Sequence, residues 1–142
     1  MYGYLKEVFC MYNRYLITGA TGFLGRAVVE QLVRLNVRID ALVLHNDSSA
    51  ALLPKEVHTV IGDVCEDDSL EQFFADADNN TCVIHCAGII SVASRSGTKL
   101  YQVNVGGTRN VVLQCLKRHI GKMVYVSSVH AIPEKPKNCV IT

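Results

Sequence analysis

The chain has 142 residues, of which 49% are hydrophobic, 19% charged and 7% aromatic, with no tryptophan. That length suits one domain able to bury a core without staples, and the apolar share excludes a disordered or collagen-like chain. A formal net charge of +1 leaves no footprint for nucleic acid or an anionic membrane, and no apolar run approaches the ~20 residues of a membrane span.

Residues 1–12 are mixed and tyrosine-rich, without a clear period, and are read as an N-terminal extension. Residues 1–10 carry too short an apolar stretch for a secretory signal and no small-residue cleavage site, so the expectation is a cytoplasmic protein. Met11 offers a second place for translation to begin. Residues 15–18 form a short β-rich run that ends in a glycine cluster and reads as strand one. From Gly22 to Leu35, Phe23, Leu24, Ala27, Val28, Leu32 and Leu35 recur at helical spacing, which predicts a helix. Strand two is expected over 39–44 and strand three over 57–61. Asp68, Ser69, Leu70 and Glu71 spell a capping box opening a short helix through Phe74.

Residues 82–87 read as strand four. A helix over 100–119 ends on Lys117, Arg118 and His119, whose charge suits the negative end of its dipole. Residues 123–127 read as strand five, and Pro133 and Pro136 then break regular structure. Strands apolar on both faces and alternating with helices mean a parallel sheet covered on two sides, α/β and doubly wound.

The six cysteines, Cys10, Cys65, Cys82, Cys86, Cys115 and Cys139, are spread along the chain and read as small buried hydrophobes kept reduced. Cys82, His85 and Cys86 lie close in sequence. On a strand, however, His85 points away from the face that Cys82 and Cys86 share, so no metal is expected there.

The glycine cluster 18–25, Thr-Gly-Ala-Thr-Gly-Phe-Leu-Gly, carries the chemistry. Gly19 makes the tight turn out of the strand, Gly22 leaves room for a pyrophosphate against the backbone, and Gly25 lets the helix pack closely. The helix N-terminus then offers N–H groups and a positive dipole end to phosphate. A glycine triplet alone is equally a tight turn without a ligand; a strand before it and a helix after it favour a dinucleotide.

This cluster closely resembles that of the extended short-chain dehydrogenase/reductase superfamily, with the nearest flavour among epimerase/dehydratases, dihydroflavonol-reductase-like and 3β-hydroxysteroid-dehydrogenase-like enzymes. Gly62-Asp63-Val64 resembles the element that contacts adenine. His85-Cys86-Ala87-Gly88 resembles the segment lining the cofactor ribose. Asn104-Val105-Gly106-Gly107-Thr108 matches the helix motif, and Val124-Tyr125-Val126-Ser127-Ser128 the strand that presents the catalytic serine. The resemblance implies a Rossmann-like sheet of about five strands in the order 3-2-1-4-5 over residues 13–142, incomplete before the last strands and the substrate region. It implies cofactor contacts from Gly19, Ala20, Thr21, Gly22, Phe23, Leu24, Gly25, His45, Asp63, Val64, Cys86, Ala87, Gly88, Asn104 and Ser127, with Ser128 the catalytic serine.

Family members that select NAD carry an acid at the end of strand two. Here Val43 and Leu44 carry none, Asp47 comes late and Asp40 lies inside the strand with a structural role, so the cofactor is NAD or NADP with a slight lean to NADP. His45 is the residue nearest to hand for a 2′-phosphate. The family also needs Tyr-x-x-x-Lys on the helix after strand five, and residues 129–142 contain no tyrosine. Tyr2-Gly3-Tyr4-Leu5-Lys6 fits the spacing but precedes strand one. The expectation is the NAD(P)-binding portion of an oxidoreductase, epimerase or dehydratase with little or no catalysis of its own, taking a small-molecule substrate only when a C-terminal part is supplied. The alternative is a non-catalytic nucleotide-sensing or partner-binding module.

Overall fold

The computed structural model describes residues 12–90 and 97–128. Five parallel strands form one sheet: β1 (Arg14–Thr18), β2 (Arg38–Val43), β3 (Val57–Ile61), β4 (Thr81–His85) and β5 (Lys122–Tyr125), in the order β3-β2-β1-β4-β5. This is the expected order, with the chain switching direction between β1 and β4. β1 is central and buried at all five positions.

Period-two alternation sends β1 side chains to two cores. Tyr15 and Ile17 join Ile39, Ala41, Val43, Val57 and Cys82 against Val29 and Leu32 of helix α1 (Phe23–Arg34). On the other face Leu16, Leu42 and Val83 meet Leu70 and Phe73 of α2 (Asp67–Phe73), and Val111 and Cys115 of a later helix, Thr108–Lys117. Cys82 and the His85 side chain thus fall on opposite sides of the sheet.

The face of α1 differs from the expected one. Gly25, Val29 and Leu32 point inward, whereas Phe23 is 91% exposed and Leu24 and Ala27 also face outward. At 100° per residue, Phe23 and Ala27 share a stripe rotated away from the one through Gly25. At α2 the N-cap is Glu66 rather than Asp68; Ser69 Oγ donates to Glu66 Oε2 at 2.9 Å, and Asp67 and Asp68 occupy the first turn, where their charges suit the dipole.

The later helix begins earlier than expected, as α3 (Gly97–Tyr101). It widens into a π segment (Gln102–Gly107) and continues as α4 (Thr108–Lys117). A short 3₁₀ helix (Ser48–Leu52) follows β2, capped by Asp47. Tyr12 packs edge-to-face on Tyr15 and donates its hydroxyl to the Gly121 carbonyl at 3.4 Å.

One buried charge needs a structural account. Asp40 of β2 is fully buried between strands and holds Arg14 Nε at 2.6 Å, Arg38 Nε at 3.1 Å and His58 Nδ1 at 2.8 Å. Burial alone would raise its carboxyl, but Arg14, His58 and Arg38 outweigh burial and hold it below the usual range. Arg14 also donates from Nη1 to the Ala75 carbonyl at 2.7 Å, tying β1 to the end of α2. Of the cysteines, Cys82 and Cys115 are buried and free, as read, whereas Cys65 is exposed. Cys10 and Cys139 lie outside the described residues.

Candidate functional site: a cavity at the carboxyl ends of the strands

Parallel strands deliver their carboxyl ends to one edge, and an open α/β sheet binds ligands where the strand order reverses. A cavity of about 330 Å³ opens there, lined by Thr18, Gly19, Thr21 and Gly22 after β1 and by Leu42, Val43, Leu44 and Asp47 around the end of β2. Gly62, Asp63 and Val64 after β3 and Cys86, Ala87, Gly88 and Ile89 after β4 add to the wall, with Lys99 and Val103 closing it.

The turn after β1 is built by close approach. Gly19 adopts φ +70°, and a Cβ on it would lie 2.6 Å from Ala87 N. A Cβ on Gly25 would lie 2.0 Å from the Gly19 carbonyl oxygen, so α1 starts directly against the turn. Gly22 is the N-cap of α1, at φ −72° and ψ 170°, with no side-chain capping bond. A Cβ there meets only Gly19 O, at 3.3 Å, so the space beside it belongs to the cavity.

The β4 segment is held from beneath. The Ala87 N–H donates to Thr18 Oγ1 at 3.3 Å, Thr18 Oγ1 lies 2.6 Å from His85 Nδ1, and His85 Nε2 lies 2.9 Å from Thr108 Oγ1. The imidazole is fully buried, its ring stacked on Tyr125 at 5.7 Å between centroids, and burial pushes its pKa down to about 4. A neutral ring has one N–H, so it accepts from the hydroxyl of one threonine and donates to that of the other, which ties β1, β4 and the helix after the π segment through one imidazole. Asn104, carried on the π segment, clamps the next residues: its Oδ1 accepts from Ile89 N at 2.8 Å and its Nδ2 donates to Ile89 O at 2.9 Å. Gly107 lets the same segment approach Val64, whose Cγ2 lies 2.5 Å from where a Cβ would stand. Asp63 makes a turn through Oδ1, which accepts from Cys65 N at 2.9 Å, while also lining the cavity.

Of the residues singled out in the sequence, the structure brings Gly19, Thr21, Gly22, Asp63, Val64, Cys86, Ala87 and Gly88 into the wall. Ala20 is buried behind the turn, Gly25 packs beneath it, Phe23 and Leu24 face outward, and His45 is exposed outside the lining. Asn104 supports the wall without forming it. Ser127 and Ser128 follow β5 on an exposed stretch beyond the lining.

Ile89, Lys99 and Val103 are wall residues that the sequence did not single out, and Asp47, set aside as coming late after strand two, also stands in the wall. Asp47 was within reach, since it follows a strand whose end must face the crevice. Lys99 lies ten residues beyond Ile89 and had no signal.

Fold, switch point and glycine turn together define a Rossmann-like member of the extended short-chain dehydrogenase/reductase superfamily. More narrowly, the chain belongs to the 3-beta hydroxysteroid dehydrogenase/isomerase family, whose model matches residues 16–141. It is 33% identical over 130 residues to human 3 beta-hydroxysteroid dehydrogenase type 7, covering 87% of this chain and 34% of that protein. Among solved structures, an epimerase from Methanothermobacter thermautotrophicus superposes with a TM-score of 0.79 at 20% identity, covering 91% of this chain and 39% of that one. The UDP-glucose 4-epimerase of Thermus thermophilus, in complex with NAD, gives 0.70 at 24% identity, covering 78% and 36%. The chain spans about a third of the length of the curated relatives it matches.

Proposed function

We propose that this chain holds a nicotinamide dinucleotide in the cavity and forms the cofactor-binding portion of an oxidoreductase, epimerase or dehydratase. The observation that carries the reading is the wall beside Gly22, where an uncapped helix start and a missing side chain meet at the switch point. These residues fit the group: the start of α1 with Gly19 and Gly22 would hold a pyrophosphate, Asp63 would accept from an adenine amino group, and Ala87 and Gly88 would border a ribose. The family membership and the NAD complex of the fold neighbour support the same assignment.

When bound, the nicotinamide supplies a site for hydride transfer. The chain's own residues bind and orient: Thr18 and His85 fix the Ala87 backbone, and Asn104 fixes Ile89. Ser128 is the residue proposed to orient a substrate oxygen, in a substrate region that a longer protein would supply. The lean to NADP rests on the absence of an acid at Val43 and Leu44; Asp47 in the cavity wall argues the other way.

A thermal-shift titration with NAD, NADH, NADP and NADPH tests the reading. A dinucleotide at 100 times its Kd stabilises the fold by about 2.7 kcal/mol, a rise of several degrees for a chain of this size. A folded chain whose Tm moves with none of the four at millimolar concentration overturns it.

A further inference from the structure

Among the described residues Lys99 is the one cation in the cavity wall, and nothing said so far gives it a task. Its side chain is exposed. The ion pairs of the described residues engage Arg14, Arg38, His58, Lys117 and Arg118, and Lys99 takes part in none of them.

The backbone that carries Lys99 is nonetheless fixed. Cys65 Sγ donates to the Gln102 carbonyl at 3.6 Å, and Asn110 Nδ2 donates to the Val64 carbonyl at 3.1 Å. With Gly107 pressed on Val64, these bonds tie α3 and the π segment to the loop after β3. Lys99, three residues before Gln102, is thereby held on the Asp63 side of the wall. Burial and the charges of Asp63 and Glu66 push the Cys65 thiol up, and the Lys99 charge opposes them, as an ammonium in that neighbourhood must.

The rest of this side is apolar, with Leu42, Val64 and Val103 beside Gly62. Such a slot suits the faces of a flat heterocycle and leaves one carboxylate and one ammonium for its edge. An ionised carboxylate only accepts, and an ammonium only donates. Adenine shows an amino donor next to a ring-nitrogen acceptor along one edge, whereas a 6-oxopurine shows two acceptors there. The pair suits the first pattern. Against the second, the carboxylate would face a carbonyl oxygen.

We propose that Lys99 donates to a ring nitrogen of the adenine base while Asp63 takes the amino group, so that α3 supplies half of the base recognition and the chain selects adenine over hypoxanthine. This assignment rests on the dinucleotide reading above.

Isothermal titration of the 142-residue chain with NAD and with nicotinamide hypoxanthine dinucleotide tests it without any need for turnover. The parent should bind NAD at least about tenfold more tightly, a difference of about 1.4 kcal/mol. Lys99→Met keeps an unbranched stem at an exposed position and removes the donor. With unchanged circular dichroism, it should weaken NAD by about fivefold or more and the hypoxanthine dinucleotide by less than about twofold. The loss for NAD should persist at about 1 M salt, where a diffuse pull on the phosphates is screened beyond about 3 Å. A parent without preference for NAD, a Lys99→Met variant that binds NAD as the parent does or weakens both dinucleotides equally, or a loss that vanishes in salt overturns the role of Lys99 and leaves the dinucleotide reading intact. Binding of neither dinucleotide by the parent overturns both.

Discussion

At the scale of the residue, three glycines separate two demands that one turn must meet. Gly19 and Gly25 are needed by the fold: one has a positive φ against Ala87, and the other presses on the Gly19 carbonyl. Gly22 has a φ and ψ open to any residue and free space toward the cavity. A Cβ at Gly22 would sit 3.3 Å from the Gly19 carbonyl oxygen, so Gly22→Val should lower Tm, though less than Gly25→Ala, while keeping the helix content and abolishing the dinucleotide-induced shift. Gly25→Ala should cost about 3 kcal/mol or more, because its Cβ meets backbone that cannot step aside. Chemical denaturation and ligand titration of both variants check this, and equal binding by Gly22→Val and parent would mean that the glycines serve the turn alone. These roles were legible in the glycine spacing because backbone approach depends on few neighbours. Asp47 was less so: its distance along the chain from β2 conceals the turn that returns it to the crevice.

At the scale of the element, side-chain bonds fix how helices sit on the sheet, and two of them titrate in different windows. His85 joins β1, β4 and α4 through Thr18 and Thr108 as a neutral ring. Its folded pKa of about 4 lies below the ordinary 6.5, so between these values the unfolded chain binds the extra proton. Stability from this group is complete above about pH 6.5 and falls away toward pH 4, by on the order of 3 kcal/mol. Glu71 of α2 bonds Lys117, Gln114 and Arg118 of α4 and the residue after it, and these partners lower its carboxyl to about 2. Its contribution is present above about pH 4.5 and is lost as pH falls toward 2. Urea unfolding from pH 7 to pH 3 should show stability declining from the upper window onward. His85→Gln should remove the slope between pH 6.5 and 4 while keeping the lower one; an unchanged upper slope would place its origin elsewhere.

Element existence and order were legible because the central strands β1 and β4 are short buried runs of largely apolar residues and a helical period follows β1, β3 and β4. The inward face of α1 was not, since Phe23 and Leu24 are apolar yet stand at the rim. Nor was the π segment, because one extra residue in a turn leaves the apolar spacing of residues 100–119 nearly intact while turning Asn104 toward Ile89.

At the scale of the whole molecule, the described residues assemble a cofactor cavity but no complete acid–base apparatus of the family kind. Ser128 follows β5, and residues 129–142 carry no tyrosine to pair with it. General acid–base help is worth roughly 100- to 10,000-fold. The 142-residue chain should thus bind dinucleotide and show no turnover of simple alcohols or ketones in a cofactor-absorbance assay. Joined to a downstream segment carrying Tyr-x-x-x-Lys it should gain activity, and Ser128→Ala in that longer protein should remove most of it. Robust turnover by the 142-residue chain would overturn this division of labour and direct attention to another acid, beginning with Tyr101.

The contact of Gly25 with the Gly19 carbonyl also bears on how such a chain records its own history. A lineage that stopped using the dinucleotide would still be obliged to keep Gly19 and Gly25, since losing either unseats the first helix from the sheet. At Gly22 the architectural demand is weaker, since a Cβ there meets only the Gly19 carbonyl oxygen at 3.3 Å, and the ligand supplies most of the constraint. Two of the three letters in the motif thus testify to architecture, and the middle one mainly to use. Among descendants of this chain, drift at position 22 with 19 and 25 unchanged would mark the loss of binding long before the fold gave any sign of it.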